Sequence, residues 1–167
     1  MSLISRAMHR IFVYGTLKSG EPNAHLMVDS TLGKATFVGK AETVRKFPLL
    51  IASRFNVPYL LYKPGTGHRI IGEVYDVDDK LLQFLDEFEN HPNYYLRQQE
   101  DVEFELDKRI EKAWVYMMMN FRDELLQKSL MANYSSKGPH GLQYVERYLR
   151  DNEDPSNSYY AEVKKES

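Results

Sequence analysis

The stretch "RIFVYGTLKSGEPNAH", residues 10–25, runs from an apolar segment into a turn of small residues. Residues 11–14 are β-branched or aromatic and a turn bounds them, so the pattern predicts a short buried strand. Gly15 would let the backbone approach a ligand closely, and Thr16 and Leu17 would expose their main-chain N–H groups because the chain has just left the sheet. The stretch therefore indicates either an ordinary turn or a loop whose N–H groups face a ligand.

Strands dominate the pattern in the rest of the chain. The strand predictions are 35–51 with a break around 46–48, 59–62, 69–77, 102–106 and 111–119. The helix predictions are 23–33, 80–90 and 122–131, with a helical face over 142–149. Gly72 interrupts a predicted strand, which often marks a close backbone approach. The expected fold class is α+β, a small, mostly antiparallel curved sheet or β-barrel with flanking helices.

Length and composition are those of one globular domain, with 167 residues, 43% hydrophobic and 28% charged. We expect the domain at 9–150, with poorly ordered tails at 1–8 and 151–167. The net charge of −2 gives no electrostatic reason to expect nucleic acid or a membrane as partner. No protein partner is required by any pattern. A cytoplasmic location is the expectation, because no apolar run approaches about 18 residues and no signal peptide is recognisable.

The usual catalytic signatures are absent from the sequence. There are no cysteines, which excludes disulfides, thiolate metal sites and a cysteine nucleophile. The motifs G-x-S-x-G, H-E-x-x-H, the P-loop and G-x-G-x-x-G do not occur. The five histidines are scattered and no pair has ligand spacing, so we expect no metal and no cofactor.

The predicted helix 80–90 carries one carboxylate in an unexpected place. With steps of about 100° from Leu81, the apolar side chains form a stripe from about 300° through 0° to about 100°. Glu89 falls at about 80°, inside this stripe, whereas Asp86 and Glu87 fall outside it at about 140° and about 240°. The pattern predicts a Glu89 that faces the core and two solvated acids.

Glu89 also lies in the last turn of this helix, because Pro92 keeps the residue before it out of helical conformation. Apolar surroundings and the negative end of the helix dipole both disfavour the charged carboxylate, and should raise its pKa above about 4.3. A raised pKa suits a general acid or base. The alternative is a Glu89 that reaches solvent or pairs with a Lys or Arg.

A series of motifs follows the order in which one known family carries them. They are "FVYGTLKSGEPN" (12–23), "FPLLI" (47–51), "NVPYLL" (56–61), "PGTG" (64–67), "GEVYDVD" (72–78), "LLQFLDEFENHP" (81–92) and "GPHGLQY" (138–144). Together they resemble the gamma-glutamyl cyclotransferase-like superfamily, over roughly residues 9–144. The segments "NVPYLL" and "GPHGL" resemble its gamma-glutamylamine branch.

The resemblance implies a small β-barrel with one deep cavity. It implies that Tyr14, Gly15, Thr16 and Leu17 bind the gamma-glutamyl, or 5-oxoproline, part of a small-molecule substrate, mainly through main chain. It implies that Glu89 is the catalytic carboxylate. The implied reaction converts gamma-glutamylamines, such as epsilon-(gamma-glutamyl)-lysine from transglutaminase cross-links, to 5-oxoproline and a free amine. The substrate's own α-amine would be the nucleophile.

Two other functions fit the same residues. One is a cyclotransferase for gamma-glutamyl amino acids or glutathione, and the other is a non-catalytic small-molecule binding module on the same fold. Of the weaker candidates, Glu73 is expected to face solvent. Tyr134 and His140 lie in or near a loop that could close over the departing amine, although a plain turn is the expected role of His140.

Overall fold

The computed structural model describes residues 8–150 and 159–165. Its strands are β1 (His9–Val13), β2 (Ala35–Phe47), β3 (Leu49–Ala52), β4 (Val57–Leu60), β5 (His68–Val77), β6 (Leu96–Phe104) and β7 (Ile110–Met117). Its α-helix is α1 (Asp79–Phe88). Short 3-10 helices cover Ala24–Met27, Asp123–Gln127, Arg147–Leu149 and Tyr159–Glu162.

Strands β1, β5, β2, β6 and β7 form a closed barrel in that order. The pairs are antiparallel except β1 with β7, which meet in parallel at Ile11 and Trp114. The hairpin β3–β4 forms a second small sheet. At Gly72, β5 passes so close to β1 that a Cβ atom would collide with the Val13 carbonyl, as the sequence predicts. The expected α+β barrel is confirmed.

Helix α1 packs its apolar side against the barrel. The Asp78 carboxylate accepts a hydrogen bond from the Leu81 N–H at 2.9 Å and so caps the helix N-terminus. Leu81, Leu82 and Leu85 are buried in a core that also contains residues of β1 and β5. The helix ends at Phe88 with Glu89 as its C-cap residue, close to the predicted boundary.

The other predicted helices are wrong in extent, because each is only a short 3-10 turn. The helix predicted from Asn23 to Gly33 is reduced to Ala24–Met27. The Asn23 side chain, predicted to cap it, instead donates to the Thr16 hydroxyl at 2.9 Å and to the Tyr144 hydroxyl at 3.0 Å. The Asn23 side chain thus joins the loop at Thr16 to the segment at Tyr144, and it makes no capping hydrogen bond that would support a longer helix.

Residues 159–165 of the expected C-terminal tail are seated on the domain. Val163 is fully buried, and its carbonyl accepts a hydrogen bond from the Arg122 N–H at 2.8 Å. The Lys165 N–H donates to the Asn120 carbonyl at 3.1 Å. This differs from the expectation for that segment, while 1–7, 151–158 and 166–167 lie outside the described residues. Within the described chain, no helix has the length and apolar character to cross a membrane.

Candidate active site

A cavity opens where β1 ends, between the barrel and the C-terminal end of α1. Its wall contains the loop 14–17, residues 57–59 at the start of β4, and the end of α1 at Phe88 and Glu89. The remaining wall residues include the tyrosines Tyr94, Tyr95, Tyr116 and Tyr144, with Asn23, Arg147 and Arg150. Aromatic walls with few polar groups are typical of a small-molecule site.

Glu89 lies in this wall directly after α1. The residue is half-buried, and within the described residues nothing donates a hydrogen bond to its carboxylate. Burial raises the pKa of Glu89 to about 7, while the guanidinium of Arg147 acts in the opposite direction. The predicted orientation and the raised pKa are both found, and the catalytic role stays a prediction.

The loop 14–17 brings a row of main-chain donors to the same cavity. Gly15, Thr16 and Leu17 all line it. Among residues 8–150 and 159–165, none accepts a hydrogen bond from the N–H groups of these three residues. The loop itself is held by its carbonyls, since the Lys18 N–H donates to Gly15 at 3.1 Å and the Asn23 N–H donates to Thr16 at 2.8 Å. Successive unpaired N–H groups suit an anionic or carbonyl ligand.

The side chains of this loop are occupied by the protein. The Tyr14 hydroxyl donates to the Tyr116 carbonyl at 2.7 Å. Burial, and then the nearby Glu89, raises the pKa of Tyr14 well above its usual range, so the donor stays protonated. The Leu17 side chain is buried in the core, and the Thr16 hydroxyl accepts from Asn23. The side chains therefore fix the loop and leave its main chain for a ligand.

Gly15 allows two segments of the chain to pack closely and does not adopt an unusual backbone angle. Its φ lies outside the left-handed region that favours glycine. A Cβ atom at this position would instead lie 3.2 Å from Cγ of Pro58, another wall residue. Gly15 thus keeps the loop close to β4.

Asp86 is not solvated, which corrects the prediction from the helical wheel. Its carboxylate accepts hydrogen bonds from the Tyr116 hydroxyl at 2.7 Å and from Nε of Arg97 at 2.8 Å. Burial acts to raise the pKa of Asp86, but the bonds from Arg97 and Tyr116 outweigh it and lower the pKa. Because the Tyr116 carbonyl also accepts from Tyr14, these bonds tie α1 to the loop 14–17. Glu87 is exposed, as expected.

A segment that the sequence did not assign to the site closes one side of the cavity. Residues 144–150, here called the arm, contribute Tyr144, Arg147 and Arg150 to the wall. Tyr144 is buried and bonded to Asn23. The Arg147 guanidinium lies 3.9 Å above the Phe88 ring and donates to the Phe88 carbonyl at 3.1 Å. Apart from Tyr144 at the end of the motif "GPHGLQY" (138–144), a helical face was the only signal here, and it indicated no binding role.

The weaker candidates support the loop and do not line the cavity. Glu73 is buried, contrary to expectation, and accepts from the Ser19 N–H at 2.8 Å and the Tyr75 hydroxyl at 2.9 Å. Tyr134 is buried and stacks on His140. The His140 ring bonds the Ser135 carbonyl at 2.7 Å, which fits the expected turn role.

No group of acids and histidines in the described parts of the chain could hold a metal ion. The site thus consists of one carboxylate of raised pKa and a row of main-chain donors, enclosed by aromatic rings. A barrel with these groups in one cavity is typical of a protein that binds a small ligand. Residues 11–136 match the family described as gamma-glutamyl cyclotransferase, AIG2-like, and the chain belongs to that family.

Individual relatives agree with this assignment. A gamma-glutamylaminecyclotransferase of Mus musculus is 44% identical over 149 residues, covering 86% of this chain and 100% of the relative. A Drosophila melanogaster protein with a provisional gamma-glutamylcyclotransferase name is 45% identical over 129 residues, covering 77% of this chain and 82% of the relative. The crystal structure of an AIG2-like protein from Mus musculus gives a TM-score of 0.82 at 43% identity, covering 86% of this chain and 99% of that chain. The family resemblance and the fold are confirmed.

Proposed function

We propose that this protein is a gamma-glutamylamine cyclotransferase, which releases an amine from a gamma-glutamylamine and closes the glutamyl part into 5-oxoproline. The observation that carries the proposal is the pair of unsatisfied partners in one cavity, the Glu89 carboxylate and the N–H groups of residues 15–17. Relatives bearing this activity in their names, such as the mouse protein at 44% identity, support it.

The bond changes in this reaction require no nucleophile from the protein. The α-amine of the substrate attacks its own γ-carbonyl carbon and forms the lactam C–N bond. The amide bond to the departing amine then breaks. A cavity that holds the glutamyl chain curled for this closure supplies orientation, which can contribute several kcal/mol. The aromatic wall formed by Tyr59, Tyr94 and Tyr95 suits that task, since these rings pack against one another.

Glu89 serves as general base and then as general acid. Its carboxylate accepts a proton from the substrate α-ammonium before the attack, and the resulting acid protonates the nitrogen of the departing amine. A pKa of about 7 keeps both forms populated near neutral pH. Since the carboxylate form starts the reaction, kcat/KM should rise as the pH rises through about 7.

The N–H groups of residues 15–17 stabilise negative charge on the substrate. Preorganised main-chain donors stabilise a developing oxyanion, such as the one formed at the γ-carbonyl oxygen during the attack. The α-carboxylate of the substrate is the other anionic group that such donors suit. Because loop side chains are bonded to Tyr116 and Asn23, the donors are held in place before the ligand arrives.

Mass spectrometry for 5-oxoproline tests the function directly. The purified protein is incubated with gamma-glutamyl-epsilon-lysine, gamma-glutamylalanine and glutathione in parallel. Release of 5-oxoproline from the lysine derivative, well ahead of the other two, is the expected result. Faster release from gamma-glutamylalanine would instead favour an activity of the kind that names the Drosophila relative. No release from any of the three would favour a binding module.

The substrate suggests a role in the cell. Gamma-glutamyl-epsilon-lysine is what remains of a transglutaminase cross-link after proteolysis, so the enzyme would complete the breakdown of such cross-links. A cytoplasmic location is part of the proposal and rests on the sequence alone. Fractionation of cells that express the protein at its natural level tests it.

A further inference from the structure

The cavity wall contains cations that the reaction described above does not use. Within the described chain, the charged residues in this wall are Glu89, Arg147 and Arg150. The carboxylate is thus outnumbered by guanidinium groups. Both arginines belong to the arm, residues 144–150, which follows the last barrel strand in the sequence.

Contacts within the protein orient the Arg147 guanidinium but occupy only part of it. Its guanidinium is held against Phe88 by the ring contact at 3.9 Å and the bond to the carbonyl at 3.1 Å. These contacts use one face and one N–H group of the five that a guanidinium offers. Among the described residues, no carboxylate lies within ion-pair distance of Arg147. The planar fork is therefore available for a carboxylate ligand.

The position of Arg147 indicates which part of a substrate it meets. Arg147 is exposed, whereas Glu89 is half-buried and the loop 14–17 is mostly buried. The glutamyl part must occupy the inner region, beside Glu89 and the N–H groups. The departing amine extends outward from the γ-carbonyl, toward the arm.

We propose that Arg147 is a specificity residue that binds the carboxylate of a departing amino acid. This inference rests on the proposed function. It predicts a preference for gamma-glutamylamines whose amine carries a carboxylate, with lysine as the example. Arg150 belongs to the same wall, but its guanidinium bonds the Val145 carbonyl at 3.0 Å and lies over two aromatic rings, so Arg147 is the better placed of the two.

A matched pair of substrates isolates this contact. Gamma-glutamyl-epsilon-lysine and gamma-glutamylcadaverine share the amide, the methylene chain and the terminal ammonium, and differ by the carboxylate of lysine. In Arg147→Gln, kcat/KM for the lysine substrate should fall about tenfold, the equivalent of one charge-assisted hydrogen bond at an exposed site. At about pH 9, where the Glu89 carboxylate stays charged with or without this guanidinium, the value for the cadaverine substrate should change less than about twofold. Arg147→Lys, which keeps the charge without the fork, should lie between.

The control is Arg109→Gln, an exposed arginine on the turn before β7 that does not line the cavity. It should leave both substrates unaffected. Equal losses for both substrates in Arg147→Gln, together with weaker 5-oxoproline binding, would overturn the inference, because the arginine would then bind the carboxylate of the glutamyl part. No loss for either substrate would overturn it as well.

Calorimetry separates this inference from the function on which it rests. In a Glu89→Gln background the intact substrates bind without turnover, and adding Arg147→Gln should weaken only the lysine substrate. If the unaltered protein released no 5-oxoproline but this binding difference were found, the proposed activity would fail and the carboxylate site would stand. If turnover were normal and the binding difference absent, the carboxylate site would fail alone.

Discussion

Asp86 and Glu89 lie one turn apart at the end of the same helix, and their surroundings are opposite. Asp86 accepts bonds from Tyr116 and Arg97, which outweigh the effect of burial and lower its pKa. Glu89 accepts no bond from the described residues, and burial raises its pKa to about 7. Two carboxylates three residues apart thus differ in role, because one stabilises the fold through hydrogen bonds and the other has no donor among the described residues.

The same contrast holds for hydrogen-bond donors around the loop 14–17. The Lys18 ammonium donates to the Asn133 side chain at 2.6 Å and to the Tyr134 carbonyl at 2.5 Å, so it ties two loops together. The preceding N–H groups of residues 15–17 have no acceptor in the described chain. Leaving a polar group unpaired in a half-buried site has an energetic cost, which a ligand can offset. Unpaired groups therefore mark the candidate site, and paired ones mark its scaffold.

Removing the unpaired carboxylate should have the largest effect. Glu89→Gln keeps the size and loses the proton transfer, so kcat should fall about 10³-fold, within the range of general acid–base catalysis. The measurement is 5-oxoproline release from gamma-glutamyl-epsilon-lysine. Glu87→Gln, at an exposed position in the same segment, should stay within about twofold of the parent. Retained activity in Glu89→Gln would contradict the assignment of the base.

Disturbing the unpaired donors should come next. In Gly15→Val, the new Cβ meets Cγ of Pro58 at 3.2 Å and moves the loop, so kcat/KM should fall about 100-fold, as expected for a misplaced binding group. Calorimetry should show weaker 5-oxoproline binding, with circular dichroism to check folding. Thr16→Ser keeps the N–H and the hydroxyl that accepts from Asn23, and should change little. A folded Gly15→Val that bound 5-oxoproline normally would move the ligand site elsewhere.

The sequence was sufficient for Glu89 and the loop 14–17, and insufficient for the paired carboxylate Asp86 and for Arg147. Helical periodicity alone places Glu89 on the inner side of α1, because its direction depends only on the spacing of residues within a segment of about ten. It misplaced Asp86, since its partner Arg97 lies on β6, and only the folded register brings them together. Most strand boundaries near turns were close, but β6 begins at Leu96, well before its predicted start at 102. Asn23 lost its predicted capping role to contacts with Thr16 and Tyr144. Long-range pairing of polar residues cannot be read from one local pattern.

Breaking the paired carboxylate should affect stability more than chemistry. Asp86→Asn weakens the bonds from Arg97 and Tyr116 in a half-buried site, so the free energy of unfolding should fall by about 1–3 kcal/mol. Turnover should fall about tenfold through the displaced cavity wall, the equivalent of about 1.4 kcal/mol. Urea unfolding and kinetics measure both. Asp101→Asn, whose partner Lys112 is exposed, should cost under about 1 kcal/mol.

A pH profile distinguishes these roles further. In Asp86→Asn, the midpoint of the rise in kcat/KM should stay near pH 7, because Glu89 is the titrating group. A midpoint that moved to the range of an ordinary carboxylate, or a rise that disappeared, would make Asp86 the titrating group and reverse the comparison.

The smallest effect expected is on thermal stability, and its sign follows from the raised pKa of Glu89. The folded protein holds the Glu89 proton up to about pH 7, whereas the unfolded chain releases it near the ordinary value of 4.5. Between these values the folded state binds more protons, so the contribution of Glu89 to stability is lost as the pH rises.

Glu89→Gln removes this dependence. The Tm of Glu89→Gln minus the Tm of the parent should therefore be a few degrees larger at pH 8 than at pH 4. Such a shift corresponds to about 1 kcal/mol in the free energy of unfolding. Glu87→Gln should show the same Tm difference at both pH values. A Tm difference for Glu89→Gln that did not depend on pH would mean that Glu89 ionises in the folded protein as it does in the unfolded chain, and the cavity would then hold an ordinary carboxylate.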